Sequence, residues 1–259
     1  MSGLRCSVFL IACLISRAGS SADWKVYEKA GGLEVFSEFQ PDLRKITGHF
    51  GAIYRELNGI IPSVSRPPQL QVILFRSTAS YRSYLQTRIP QALQRRAVFY
   101  RNGSILQIYA VNSPELDRDL RHEFTHALLH DSLPYVPLWI DEGLAEYLED
   151  APVNRGRSTR LAGMRWRCRT GREPKLTQVE GIRSAAAMTS AQYRDSWAWI
   201  HFLVHESPSR RAHFSAFLEE IAAGGAPGDF SEWSAADGQS LQPQIGPYFR
   251  RFHFASAGQ

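Results

Sequence analysis

The segment LRHEFTHALLH, Leu120–His130, places two histidines four residues apart, with a glutamate directly after the first. A helix turns about 100° per residue, so His122 and His126 would project from one face, one turn apart. Apolar side chains, among them Phe124 and Leu128, fall on roughly the opposite side. The segment is therefore constrained to form a helix that buries one face and presents two imidazoles with the other.

This pattern matches the chemistry of a zinc site. Zinc takes neutral imidazole nitrogens as ligands. Glu123 is rotated about 100° from His122, too far round to join the same ligand face but well placed to hold a proton beside the metal. H-E-x-x-H on a helix thus predicts one zinc ion on His122 and His126, with Glu123 as general base. The alternative is a helix with satisfied or surface histidines, and the agreement in type and spacing favours zinc.

The third ligand is not fixed by the segment itself. A metzincin would have a glycine at Leu129 and a histidine at Ser132, so that class is excluded. His130 lies a further turn along and would need an unusual geometry. Glu142 and Glu146 lie four residues apart on a second predicted helix and so share a face. One of these carboxylates is expected to complete a His-His-Glu site, and the other to orient a ligand imidazole from behind.

The residues before the motif predict how its helix is positioned. Ser113 can cap the helix, Pro114 suits its first position, and acidic residues follow, which predicts a helix over Pro114–Asp131. The preceding AVFYRNGSILQIYAV indicates a β-hairpin that turns at Asn102–Gly103. Its second run, SILQIYAV, is either a sheet edge that could pair with an extended peptide or an interior strand.

The rest of the chain predicts an α+β fold. Strands are expected on either side of Gly31 and at Leu70–Arg76, with a helix whose apolar residues recur from Leu43 to Leu57. After the motif the pattern is mainly helical. We therefore expect a small mixed sheet with an edge strand next to the HExxH helix, followed by a mainly helical C-terminal half. The expected domain covers residues 23–259, with an α/β half at 23–131 and a helical half at 132–259.

The N-terminus has the pattern of an export signal. A short basic start precedes the apolar run CSVFLIACLIS, and small residues follow, so residues 1–22 are expected to be a signal peptide cut after Ser20 or Ala22. The mature chain would then be secreted or periplasmic, with Cys168 as its single cysteine and hence no intrachain disulfide. No apolar run is long enough for a transmembrane span. Loss of Arg5 and Arg17 with residues 1–22 would lower the net charge from +5 to about +3, which is too small to indicate a nucleic-acid partner.

The two motifs together resemble a known group. HEFTHALLH followed by PLWIDEGLAEYLED is similar to the gluzincin pattern of HExxH and W-x-x-E-G-x-A, and most similar to the bacterial peptidase-MA-like proteins. The resemblance implies that Glu142, before the glycine, is the third zinc ligand, and that Glu146 stands behind the ligands. It covers residues 70–205, with its specific part in residues 120–147. The spacer between His126 and Glu142 is shorter than in the large aminopeptidases.

The same resemblance implies a further residue in the C-terminal half. Gluzincins commonly add a tyrosine or histidine that stabilises the tetrahedral intermediate, and Tyr193 is the candidate here. The alternative is a core tyrosine on a helical face with Trp197, Ile200 and Val204. A second i, i+4 histidine pair occurs nearby, at 201 and 205, but it lacks an adjacent glutamate, so packing or surface exposure is favoured over metal binding.

Three functions follow as hypotheses. The first is an exported zinc metallopeptidase acting on a peptide or protein substrate, and the second is a zinc-containing envelope protein that binds without turnover. The third is a binder of anionic polymers through the segment 155–175, although a solvated loop is the simpler interpretation. That segment contains eight basic residues: Arg155, Arg157, Arg160, Arg165, Arg167, Arg169, Arg172 and Lys175. The substrate and the oligomeric state are not predicted.

Overall fold

The computed structural model describes residues 24–64, 66–155, 159–236, 238 and 240–252. The predicted signal peptide, residues 1–22, lies outside these residues. The predicted α+β order is confirmed: a five-stranded mixed sheet with helices is followed by a mainly helical half. The strands are β1 (Val26–Ala30), β2 (Leu33–Ser37), β3 (Leu70–Phe75), β4 (Ala97–Asn102) and β5 (Ile105–Val111).

The sheet has the order β1-β2-β3-β5-β4. β2, β3 and β5 run parallel, while β1 and β4 are antiparallel to their neighbours at the two edges. The interpretation of SILQIYAV as a sheet edge is therefore wrong: β5 is interior, and its hairpin partner β4 is the edge strand. Tight turns join both antiparallel pairs, where Gly32 and Gly103 adopt positive φ angles of 88° and 61°.

Helices cover both faces of the sheet. The helices before the motif are α1 (Leu43–Asn58) and α2 (Thr78–Leu85), and the motif lies in α3 (Leu116–Ser132). α1 and α3 pack on the face that carries Val35, Val72 and Ile108, whereas α2 covers the opposite face. Interior strands covered on both faces read as nearly continuous apolar runs, which is why β3 is LQVILF.

The C-terminal half adds eight helices among the described residues. They are α4 (Leu138–Leu148), α5 (Pro152–Arg155), α6 (Thr159–Arg169), α7 (Leu176–Glu180), α8 (Ser190–His205), α9 (Pro208–Ala222), α10 (Phe230–Ala236) and α11 (Gln242–Arg251). One apolar core extends from β2 to α11, so the two halves share it. None of the helices that the structure describes has the length and apolar character that a membrane span requires.

The motif helix begins two residues later than predicted. Ser113 accepts a hydrogen bond from the Glu115 amide through its Oγ and from the Leu116 amide through its carbonyl, which forms a turn. The helix proper starts at Leu116 and has no side-chain cap. Asp117 and Asp119 lie in its first turn, where the helix dipole favours acids.

Gly143 allows α4 and α8 to pack closely. A Cβ added there would lie 2.7 Å from Ile200 Cγ1 and 2.9 Å from the Ser196 carbonyl oxygen. Both separations are shorter than real Cβ contacts, and the Ser196 atom belongs to backbone that cannot rotate away. The glycine of the E-G pair is therefore required by packing, and it fixes the helix that carries Glu142.

We expect Gly143→Ala to destabilise the protein by about 1–3 kcal/mol, because the methyl group overpacks the contact between the two helices. Denaturant unfolding of metal-free protein measures this change. Gly163→Ala in α6 is the matched control, since its Cβ would meet nothing within 4 Å. That control should be neutral or slightly stabilising because alanine favours a helix over glycine. Equal effects of the two substitutions would contradict the packing role.

Candidate metal centre

Helix α3 presents two imidazoles on one face and buries its other side. Phe124 and Leu128 are fully buried in the core. On the opposite face, the Nε2 atoms of His122 and His126 lie 3.2 Å apart. The helical geometry expected from the spacing is thus what the structure shows.

Helix α4 brings a carboxylate to the same point. Glu142 Oε2 lies 3.7 Å from His122 Nε2 and 3.8 Å from His126 Nε2. Glu142 is buried, and its Oε2 has no hydrogen-bond partner among the described residues. A buried carboxylate oxygen without a donor is costly, so this atom needs a cation or a donor to stabilise it.

The three donor atoms fit a single zinc ion. The donor atoms of His122, His126 and Glu142 lie within 4.8 Å of one another. Tetrahedral ligands at about 2.1 Å from zinc lie roughly 3.4 Å apart, close to the separations found here. Two histidines and a glutamate are also a donor set that catalytic zinc accepts, with one position left open. The residues present therefore could hold a metal ion.

The charges around the imidazoles also favour a cation. Burial alone would lower the pKa of His126, but the Asp141, Glu142 and Glu123 carboxylates outweigh it and raise that pKa to about 10. Burial likewise lowers the pKa of His122, but its hydrogen bond to Glu149 and the negative charges of Glu123 and Glu149 together outweigh this and raise that pKa. Positive charge is thus stabilised between these side chains.

Asp141 orients His126 and was missed by the sequence analysis. Its Oδ1 lies 2.7 Å from His126 Nδ1 and its Oδ2 lies 2.9 Å from His130 Nε2. Burial would raise the pKa of Asp141, but the two imidazoles hold it well below the usual range. With Nδ1 on Asp141, Nε2 of His126 faces His122 and Glu142. His130 takes part through Asp141 and lies outside the His122–His126–Glu142 set.

Glu149 is the carboxylate that contacts the other imidazole. Its Oε2 lies 3.2 Å from His122 Nδ1, and Arg118 and Arg160 pair with its Oε1. Glu146, the residue expected behind the ligands, forms an ion pair with Arg160 at 2.5 Å. Glu146 thus lies next to the site, while the hydrogen bond to His122 comes from Glu149, one turn from the position that the resemblance implies.

The general-base candidate lies between helix α3 and the sheet edge. Glu123 is 6% exposed, and its Oε2 accepts a hydrogen bond of 2.6 Å from the Phe99 amide on β4. Glu123 directly follows the candidate ligand His122 in sequence, but its carboxylate is bonded to strand β4. The Glu123 side chain thus points away from the helix face that carries His122 and His126, as the rotation of about 100° per residue predicts.

Tyr193 lies in the first turn of helix α8, which packs against α4. Its side chain is half-buried; burial raises its pKa, and the negative charge of Glu142 adds to this effect. The Arg95 guanidinium, on the loop before β4, acts in the opposite direction. Tyr193 therefore lies within the electrostatic influence of the Glu142 carboxylate.

The other histidine pair is part of an aromatic core. His201 hydrogen-bonds to the Tyr248 hydroxyl at 2.7 Å, and His205 Nε2 lies 2.8 Å from the Tyr147 hydroxyl. Burial lowers the pKa of His205 to about 4 and holds that of His201 well below its usual value. The packing interpretation of this pair agrees with the structure.

Comparison with known proteins gives no relative: no family model matches the chain, and no curated protein matches its sequence. The assignment of this site therefore rests on its own geometry.

We expect Asp141→Asn to weaken zinc binding by about 10- to 100-fold, because an amide holds the His126 imidazole less firmly and no longer increases its basicity. Competition with a chromophoric chelator measures the affinity. Asp195→Asn is the control, since Asp195 pairs with Arg167 and not with a site histidine. Unchanged affinity in Asp141→Asn would contradict the orienting role.

Proposed function

We propose that this chain is an exported zinc-dependent metallopeptidase of the gluzincin type. One observation carries the proposal: the donor atoms of His122, His126 and Glu142 converge on one point, with Glu123 beside them. The resemblance of the two motifs to peptidase-MA-like proteins supports it. A single zinc per chain is the cofactor proposed.

The residues around the donors have distinct proposed roles. Zinc, when bound, supplies a Lewis acid that polarises a peptide carbonyl and activates water. Glu123 accepts the proton of the attacking water and passes it to the leaving nitrogen. The Tyr193 hydroxyl donates a hydrogen bond to the carbonyl oxygen as negative charge develops there. Asp141 and Glu149 keep the two imidazoles in the ligand orientation.

Strand β4 is the proposed docking edge for the peptide backbone. The amide of Val111 donates to the Arg96 carbonyl at 2.9 Å, which sets the alternation of this antiparallel pair. Ala97, Phe99 and Arg101 then turn their amide and carbonyl groups away from β5. Apart from the Phe99 amide, which is bonded to Glu123, an extended peptide can pair with these groups with little dependence on side chains.

The proposed location is outside the cytoplasm, in the cell envelope or medium. It rests on the signal-peptide pattern of residues 1–22, and those residues lie outside the described structure. The chain's single cysteine beyond that segment, Cys168, is buried and unpaired.

A peptide-library digest tests the proposal. Protein loaded with one equivalent of zinc should cleave peptides, a chelator should stop the cleavage, and added zinc should restore it. A digest that yields no cleavage from zinc-loaded, folded protein would contradict a peptidase and favour a zinc protein that binds without turnover.

A second candidate function is binding of anionic polymers through helix α6 and the turn after it. Trp166 is 58% exposed, with the Arg172 guanidinium 5.7 Å from its ring centroid. Arg155, Arg160 and Arg167 pair with carboxylates of the protein itself. Fewer of the eight basic residues of segment 155–175 therefore remain as candidates for binding a polymer.

Heparin chromatography tests this candidate. Neutralising Arg169, Arg172 and Lys175 together should abolish salt-dependent retention, whereas neutralising three exposed basic residues elsewhere, Lys25, Arg44 and Arg66, should not. Equal losses from the two triple variants would show only an effect of net charge.

A further inference from the structure

A backbone hydrogen bond joins the sheet edge to the proposed base. The Phe99 amide on β4 donates to Glu123 Oε2 at 2.6 Å, which is short for an N–H···O hydrogen bond. Glu123 is buried, so this bond is poorly screened by solvent. The carboxylate that is proposed to move protons is therefore held by a main-chain group.

The Phe99 amide makes its bond to Glu123 without giving up a hydrogen bond of the sheet. Phe99 lies opposite Ile108 in the β4–β5 pair. Because Val111 bonds to Arg96, the alternation of antiparallel pairs makes Phe99–Ile108 a pair without ladder bonds. The Phe99 amide thus faces outward at an edge, and its bond to Glu123 satisfies a group that the ladder leaves free.

Two further contacts fix β4 against α3 close to this bond. The Phe99 ring stacks on the His130 ring, with centroids 5.6 Å apart and planes at 30°. Arg101 Nη1 donates to the His130 carbonyl oxygen at 2.6 Å. The distance between the strand amide and the helix carboxylate is therefore set by contacts on neighbouring residues.

We propose that the Phe99 backbone amide is a positioning group for Glu123. It binds one carboxylate oxygen, restricts the side chain to one orientation and leaves the other oxygen to exchange protons. The inference rests on the proposed function, since it gives Glu123 a partner in its role as base. It also assigns strand β4 a second task besides pairing with substrate.

Proline at position 99 removes the amide proton. Edge strands accept proline where the amide points away from the ladder. Phe99→Ala is the reference, because both variants lose the ring and only proline loses the donor. With zinc at one per chain in both, we expect kcat to be about 10- to 100-fold lower in Phe99→Pro than in Phe99→Ala, with KM within roughly threefold. Equal kcat values would overturn the proposal.

A backbone ester gives a second test if the proline variant does not fold. Phenyllactic acid at position 99 keeps the side chain and replaces the N–H donor by an ester oxygen. The matched control places the hydroxy-acid analogue of tyrosine at Tyr100, whose amide faces β5. The ester at 99 should lower kcat while the ester at 100 lowers stability alone. The same kcat for both esters would overturn the proposal.

An NMR measurement separates this inference from the proposed function. In zinc-loaded protein with ¹⁵N-labelled phenylalanines, the Phe99 resonance is the one lost in Phe99→Ala. A bond to a carboxylate should shift its amide proton downfield relative to the Glu123→Ala protein. This result is expected even if no peptide is cleaved. An unchanged shift in Glu123→Ala would overturn the positioning bond whatever the activity.

Discussion

Glu123→Gln should lose nearly all peptide hydrolysis while still binding one zinc per chain. General-base catalysis contributes about 10²- to 10⁴-fold, and an amide cannot accept the proton. The substitution keeps the size of the side chain and an oxygen that can accept from the Phe99 amide, and it leaves the ligands His122 and His126 unchanged. Initial rates on a cleaved library peptide, with zinc measured on the same samples, give the result.

The control for this substitution is Glu115→Gln, an equal change of charge at the start of the same helix. It should retain full activity, because Glu115 is exposed and outside the cluster of donors. Hydrolysis by Glu123→Gln at the wild-type rate would contradict the role of Glu123 as base.

Removal of zinc should lower the melting temperature of the wild type by roughly 8–16 °C. A ligand at roughly 1,000 times its Kd stabilises the folded state by about 4 kcal/mol, and each kcal/mol shifts Tm by about 2–4 °C in a chain of this size. The chelator should have no such effect on Glu142→Ala, which lacks the third ligand. Thermal melts with and without chelator measure the difference.

Glu146→Gln is the matched variant for this experiment. Glu146 lies one turn after Glu142 on α4 and pairs with Arg160. It should keep most of the zinc-dependent rise in Tm. A loss of that rise in Glu146→Gln, with retention in Glu142→Ala, would show that the ligand assignment of the two carboxylates is reversed.

Short-range patterns predicted most of the local structure. The 3.6-residue period identified the motif helix, and two glycine-containing turns identified the strand pairs. Which strand forms the edge of the sheet next to the motif helix could not be predicted in the same way. Strands β4 and β5 are both rich in apolar and aromatic residues, and which of them pairs with β3 depends on contacts between distant segments.

The carboxylates behind the imidazoles were harder to predict than the ligands. His122 and His126 share a helix, so their relation follows from spacing. The partners Asp141 and Glu149 lie on or just after α4, and whether each meets an imidazole depends on how closely α4 approaches α3. Helix α4 is itself held against α8 at Gly143, a tertiary contact that no local pattern encodes.

The interactions of the Arg-rich segment, residues 155–175, also could not be predicted without the structure. In sequence it is a run of positive charge, which suggests a partner of opposite charge. In the fold, Arg155 pairs with Glu56 and Arg160 with Glu149. Part of this charge therefore stabilises the protein around the candidate metal centre.

Metal content is the measurement that most directly tests the central claim that His122, His126 and Glu142 hold zinc. Elemental analysis of purified wild type, His126→Ala and Glu142→Ala after dialysis against metal-free buffer should give one zinc per chain in the wild type and almost none in either variant. Circular dichroism should confirm that all three are folded. A wild type without zinc, or a folded Glu142→Ala protein that retains a full equivalent, would contradict it.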